Sequence, residues 1–122
     1  MKQKKIILID AGKKFPLVLN VVPKRLHGLG LMFKKKTNAQ ILLFEFNKET
    51  KMSIHSFFVW FPFIAIWLDS QEKIIGVRKV RPFDFGISPS KKYKSLIEIP
   101  LSITYKEVLG FIKNIQVAEV IQ

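Results

Sequence analysis

The chain has 122 residues, 48% of them hydrophobic, with no cysteine and a formal net charge of +12. That length is expected to make a single domain, 1–122, with enough apolar material for a core that needs no disulfide or metal staple. The absence of cysteine excludes disulfides, thiolate zinc sites and cysteine nucleophiles.

The cations are unevenly spread: residues 1–36 hold ten Lys or Arg against one acid, Asp10. The basic start followed by Ile6–Ile9 imitates a secretory leader, but four apolar residues fall short of the roughly 7–15 such a leader needs. Lys5–Ile9 therefore reads as a first strand, and the chain is expected to be cytoplasmic. Phe15–Val22 reads as the second strand, with Pro16 near its start, where a missing N–H costs least. Pro23 to Gly30 suggests a turn or short helix, Leu31–Phe33 a return to the core, and Lys34–Asn38 a basic loop.

Ala39–Phe46 alternates, with Leu42, Phe44 and Phe46 on one face and Ile41, Leu43 and Glu45 on the other. Asn47–Thr50 reads as a turn. The aromatic run from Ile54 to Asp69 invites a membrane helix, yet its uncharged part, Phe57–Leu68, would reach only about 18 Å against roughly 30 Å of hydrocarbon. Pro62 interrupts it, and Phe, Val, Ile and Trp suit a half-buried strand. The expected reading is two strands, Ser53–Phe58 and Phe63–Leu68, hinged at Phe61-Pro62, with no membrane span.

Asp69-Ser70-Gln71-Glu72 is a hairpin turn leading into Lys73–Val80. Pro82–Ser90 is irregular, and its aromatics Phe83 and Phe85 suggest a flap over the core. Ser95–Ile99 is a further strand. Thr104-x-x-Glu107 is a capping-box signature and Gly110 a stop, which predicts a short helix over about Tyr105–Leu109. Ile112–Val117 reads as a last strand. The expected fold is mainly β (a β-rich α+β fold): a compact antiparallel barrel-like domain of about eight short strands with one short C-terminal helix.

Three stretches, taken in order, resemble the family called domain of unknown function 192. Gly30-Leu31-Met32-Phe33-Lys34 is similar to its Gly-Leu-Met-Phe-Arg/Lys signature. His55-Ser56-Phe57-Phe58, with Phe61-Pro62 and Trp67-Leu68-Asp69, is similar to its central aromatic segment. Leu96-Ile97-Glu98-Ile99-Pro100 is similar to its Leu-Glu-Leu-Pro strand. The resemblance spans roughly residues 15–117 and implies a small β-rich barrel-like fold with no established reaction. Val59 and Trp60 stand where that family has Met and Arg, Ile64 where it has Asp, and Leu101-Ser102 where it has Ala-Gly. Its later Gly-Asp pair has no counterpart near Asn114.

No motif announces a reaction. His55 and His27 have no second ligand at a metal spacing, and no metal or cofactor is expected. Gly28-x-Gly30 is not a phosphate loop, and no serine sits in a nucleophile elbow. Glu98 faces solvent or a barrel interior, where Arg78, Arg81 or a backbone donor could hold its charge. Trp60 precedes the Phe61-Pro62 bend and is expected on an exposed rim, with Phe83 or Phe85 across from it.

These observations favour a non-catalytic binding module with an apolar, aromatic-rimmed cleft for a small ligand or protein partner. Its candidate residues are Trp60, Phe83, Phe85, His55, Arg81 and Glu98. A weak nucleic-acid binder using the basic N-terminal third is the alternative, although only Arg25, Arg78 and Arg81 supply the guanidinium that specific phosphate recognition favours. An enzyme with a degenerate site would require His55, Arg81 and Glu98 to converge.

Overall fold

A computed structural model describes residues 2–10, 12–24, 27, 39–56 and 59–121, with the side chains at 103 and 114–121 outside that description. The strands are β1 (Gln3–Asp10), β2 (Lys13–Val21), β3 (Leu42–Thr50), β4 (Phe63–Leu68), β5 (Ile74–Val80) and β6 (Tyr93–Pro100). A 3-10 turn at Ile103–Tyr105 leads into helix α1, Lys106–Ile121. The strands form one sheet in the order β1-β2-β3-β6-β4-β5, curled into a half-barrel. Neighbours are antiparallel except β2 and β3, which meet in parallel at Asn20↔Leu42 and Val21↔Leu43.

Alternation explains how each strand sits. In β1, Ile6 and Leu8 point inward while Lys5, Ile7 and Ile9 point outward. Strand β4 is buried at all six positions and β6 at all but Lys94, so the sheet centre carries a core on each face. One core joins Ile6, Leu8, Leu19, Leu43, Ile66 and Ile97 to Val108 and Ile112 of α1. The other joins Leu42, Phe44, Phe63, Ala65, Trp67 and Leu96 to Val59, Phe61 and Ile87, which come from the connecting loops. We call these the helix-side and loop-side faces. Lys4 of β1 reaches Glu45 of β3 at 2.9 Å and Glu72 in the β4–β5 turn at 3.7 Å, so a single lysine links three parts of the curl. These half-exposed pairs add little stability.

The β4–β5 hairpin forms where the sequence places it. Asp69 Oδ1 accepts from the N–H groups of Gln71 (2.8 Å) and Lys73 (2.9 Å), and Glu72 takes φ +63° to complete the turn. Strand β3 runs on through Asn47–Thr50, where a turn was expected. An irregularity between Glu45 and Thr50 absorbs the residues, and Thr50 still pairs with Tyr93.

Two expected strands are corrected. Within Ser53–Phe58, the only pairing of the described residues is the isolated bridge Ile54↔Ile87, and residues 57–58 lie outside the description. Ile112–Val117 belongs to α1, because Val108 and Ile112, four residues apart, both seat on the helix-side core. Gly110 does not end that helix and does not take positive φ. Of the turn or short helix expected over Pro23–Gly30, residues 23, 24 and 27 are described, and His27 N–H donates to Lys24 O at 3.3 Å, while the core return and basic loop at 31–38 lie outside the described residues.

Candidate functional site

The loop-side face is covered by two interlocked segments, 51–62 between β3 and β4 and 81–92 between β5 and β6. Ser56, fully buried, ties them together. Its Oγ donates to the Arg81 carbonyl at 2.5 Å and accepts from the Asp84 N–H at 2.6 Å. Its backbone N–H donates to Asp84 O at 2.8 Å, and its carbonyl accepts from Phe83 N–H at 3.0 Å. Asp84 Oδ2 then accepts from Arg81 N–H at 3.2 Å, which closes the tight turn from Arg81 to Asp84. Further along, Ile54 and Ile87 exchange both backbone hydrogen bonds, and the Tyr93 hydroxyl donates to Met52 O at 2.6 Å.

This knot holds Phe83 at φ +61°, a left-handed conformation that a bulky residue adopts only when its surroundings impose it. Phe83 meets Trp60 edge to face with ring centroids 5.0 Å apart. Trp60 is 65% exposed and Phe85 73%, so large aromatic surface stands in solvent on segments tied together by the Ser56 hydrogen bonds. His55 and Arg81 are exposed on the same two segments. Sequence reasoning named the aromatics but not Ser56 as their organiser. Ser56 meets its partners 25 and 28 residues away, which no local pattern discloses.

Glu98 is set apart from this group. It is 5% exposed and lies on the loop-side face, directly opposite Ala65 of β4 and Leu42 of β3. No ion pair with Arg78 or Arg81 offsets its burial, and desolvation pushes its carboxyl up to about 8. Burial, and secondarily the charge of Glu98, raises the Tyr93 phenol to about 12. Glu98 can thus carry a proton at neutral pH in an apolar setting. His27, the other singled-out histidine, packs edge-on against Phe44 and Phe46 and bonds Val22 O through Nε2 at 3.1 Å, a core-covering role. Glu45 is engaged by Lys4.

A pocket of about 320 Å³ lies beside β5, lined by Trp67, Ile75, Gly76, Val77, Arg78, Ser88, Pro89 and Ser90. It forms where Ser88–Ser90 crosses the outer strand, close enough that a side chain at Gly76 would meet Trp67 Cε3 at 3.2 Å and Pro89 Cβ at 3.5 Å. Trp67 Nε1 is buried with no hydrogen-bond partner. No sequence pattern discloses this pocket, because Gly76 and Pro89 are brought together only by the tertiary fold. Among the described residues no group of three His, Cys, Asp or Glu could hold a metal ion. Nor, among them, is any helix long and apolar enough to cross a membrane.

The curled six-stranded sheet with a C-terminal helix defines a small β-rich half-barrel protein. A profile of the domain-of-unknown-function-192 family, described as an uncharacterized ACR, matches residues 21–116, and the chain belongs to that family. A UPF0127 protein of Pyrococcus horikoshii is 33% identical over 72 residues, 59% of this chain and 62% of that protein, so the match spans less than two thirds of the relative.

Two crystal structures share the fold. A Sinorhizobium meliloti protein, described as a candidate transcription regulator, superposes with a TM-score of 0.71 at 18% identity, covering 88% of this chain and 86% of that one. A Novosphingobium aromaticivorans protein of unknown function superposes with a TM-score of 0.70 at 11% identity, covering 85% and 77%. At those identities the likeness is one of fold.

Proposed function

We propose that the protein is a non-catalytic binding module whose aromatic rim, Trp60 with Phe83 and Phe85, receives an apolar side chain of an acidic protein partner. The observation that carries this reading is the exposed Trp60–Phe83 pair, held on a backbone that is strained at Phe83 and fixed by Ser56. Local strain is maintained where the surroundings over-determine it, and it concentrates at binding and switch sites. Exposed Trp and Arg on a rigid support are the residues that dominate protein–protein hot spots. Preorganisation of the rim lowers the ordering cost of binding. Arg81 and Lys51, exposed on the same segments, and the net charge of +12 favour acidic flanks in the partner.

The enzymatic alternative draws no comparable support: Glu98 is sunk in the sheet without an ion pair to Arg81. Nucleic-acid binding draws on exposed Lys5, Lys13 and Lys14 of the β1–β2 hairpin. The regulator description belongs to the S. meliloti protein, with which only the fold is shared.

Peptides selected from a random display library test the proposal. Binders should pair an aromatic or aliphatic residue with Asp or Glu, lose about tenfold or more in affinity against Trp60→Ala, and recover it with Trp60→Phe. Binders indifferent to Trp60→Ala defeat the proposal. So does salt-dependent binding of single-stranded DNA as the only activity, unaffected by that substitution.

A further inference from the structure

We infer that strand β1 is the interface of a symmetric dimer, in which two copies of this chain pair β1 antiparallel about Ile7 and join their sheets. This interface is separate from the aromatic rim and does not depend on the reading given to that rim. Strand β1 ends the sheet, with β2 on one side and, among the described residues, no strand on the other. Lys2 O accepts from Val21 N–H at 2.7 Å, which sets the alternation along the strand. Even-numbered residues bond to β2, while Gln3, Lys5, Ile7 and Ile9 turn their N–H and C=O groups to the open edge. Such an edge is a template for another strand.

The same odd-numbered residues carry exposed side chains. Ile7 is 48% and Ile9 58% exposed, and Val18 of β2, 55% exposed, stands opposite Lys5. Pro16, opposite Ile7, is exposed as well. These four make a continuous apolar patch that runs up to the edge, on the sheet face opposite to Ile6 and Leu8. A lipid surface would cover the patch but leave the edge groups without partners, whereas a strand meets both.

The charges of β1 select a second copy as that strand. Edge strands are ordinarily blunted by lysines, and here Lys2, Lys4 and Lys5 all precede an unguarded Ile6–Ile9 and the acid Asp10. Antiparallel pairing about Ile7 lays the lysine half of each copy along the aliphatic half of the other. Ile7 then meets Ile7, and Lys5 meets Ile9 with its aliphatic stem alongside. The amides of these residues all face the edge, so each pair exchanges both N–H···O bonds. Asp10, which has no ion pair among the described residues, falls opposite Lys4, whose side chain is still 40% exposed beside Glu45 and Glu72. The net charge of +12 on each copy opposes association at low salt, and screening relieves that repulsion.

The test uses the full chain, whose lack of cysteine permits single-cysteine variants. Sedimentation over a range of concentrations, at about 0.15 M salt, should show a reversible dimer. Ile7→Lys, at an exposed position, sets like charges on the axis and should weaken the dimer about tenfold or more while leaving the thermal midpoint nearly unchanged. Under mild oxidation Ile7→Cys should cross-link into a dimer, because Cα atoms in a hydrogen-bonded antiparallel pair lie about 5.5 Å apart, within disulfide reach. Ile9→Cys and Val18→Cys should not. In this register each Ile9 is four residues along from its counterpart, about 14 Å, and each Val18 is three strand spacings away, also about 14 Å. Both are more exposed than Ile7, so chance collisions would favour them instead. A monomer at every concentration, a dimer indifferent to Ile7→Lys, or cross-linking of Ile9→Cys or Val18→Cys as fast as that of Ile7→Cys overturns the inference.

Discussion

Glu98 stands directly across the β4–β6 ladder from Ala65, so a buried carboxyl faces the smallest side chain on that strand. Its folded-state value of about 8, against an ordinary 4.5, comes from desolvation. The folded protein therefore holds this proton more tightly than the unfolded chain does. The associated stability is fully present below pH 4.5, declines as pH rises, and is lost through pH 8, with a slope approaching 1.4 kcal/mol per pH unit between those values. Urea midpoints measured from pH 5 to 9 should fall more steeply for the native sequence than for Glu98→Gln, which cannot ionise. Parallel curves for the two proteins would show that Glu98 does not titrate in this range.

Ser56 makes the loop knot, so its hydroxyl should matter more than that of an average serine. Ser56→Ala removes the donor to Arg81 O and the acceptor for Asp84 N–H in a fully buried place. Orphaned buried backbone groups cost about 1–3 kcal/mol. The expected result is destabilisation of that size, together with a change in Trp60 emission as Phe83 leaves its imposed conformation. Unchanged stability and emission would mean that the loops are held by other contacts.

Legibility in the sequence followed the physics of each segment. Strand β4 was bounded correctly because Phe63–Leu68 lies between Pro62 and an Asp-led turn, two strong local signals. The faces of β3 followed from strict alternation of Leu42, Phe44 and Phe46. Alternation could not place Glu98, since β6 is buried on both faces and either orientation would have been enclosed. The segment 51–56 has strand composition, yet side-chain bonds from Tyr93 and Ser56 fix it in place of a ladder. Ile112–Val117 has β-branched composition as well, and packing on the helix-side core overrides that preference.

Gly110 offers a stability gain that follows from the corrected helix. It sits inside α1, is exposed, and has nothing within 4 Å of where a side chain would begin. Glycine in a helix interior is about 1 kcal/mol worse than alanine. Gly110→Ala should raise the denaturation midpoint by an amount corresponding to roughly 0.5–1 kcal/mol. A loss of stability would show that this position ends the helix, as the sequence alone suggested.

The two tryptophans should respond oppositely to truncation, and the contrast separates surface from scaffold. Trp67 is fully enclosed between Gly76, Leu96 and Tyr93, so Trp67→Ala should cost about 3–5 kcal/mol, as large aromatic deletions in cores do. Trp60 is mostly in solvent and touches Phe83 by one edge, so Trp60→Ala should cost about 1 kcal/mol or less. Emission spectra give a second reading. The native protein should lose its red-shifted, quencher-accessible component in Trp60→Phe and keep a blue-shifted, protected one from Trp67. If Trp60→Ala instead destabilises the protein by several kcal/mol, the side chain serves the core, and the aromatic rim loses its claim as a binding surface.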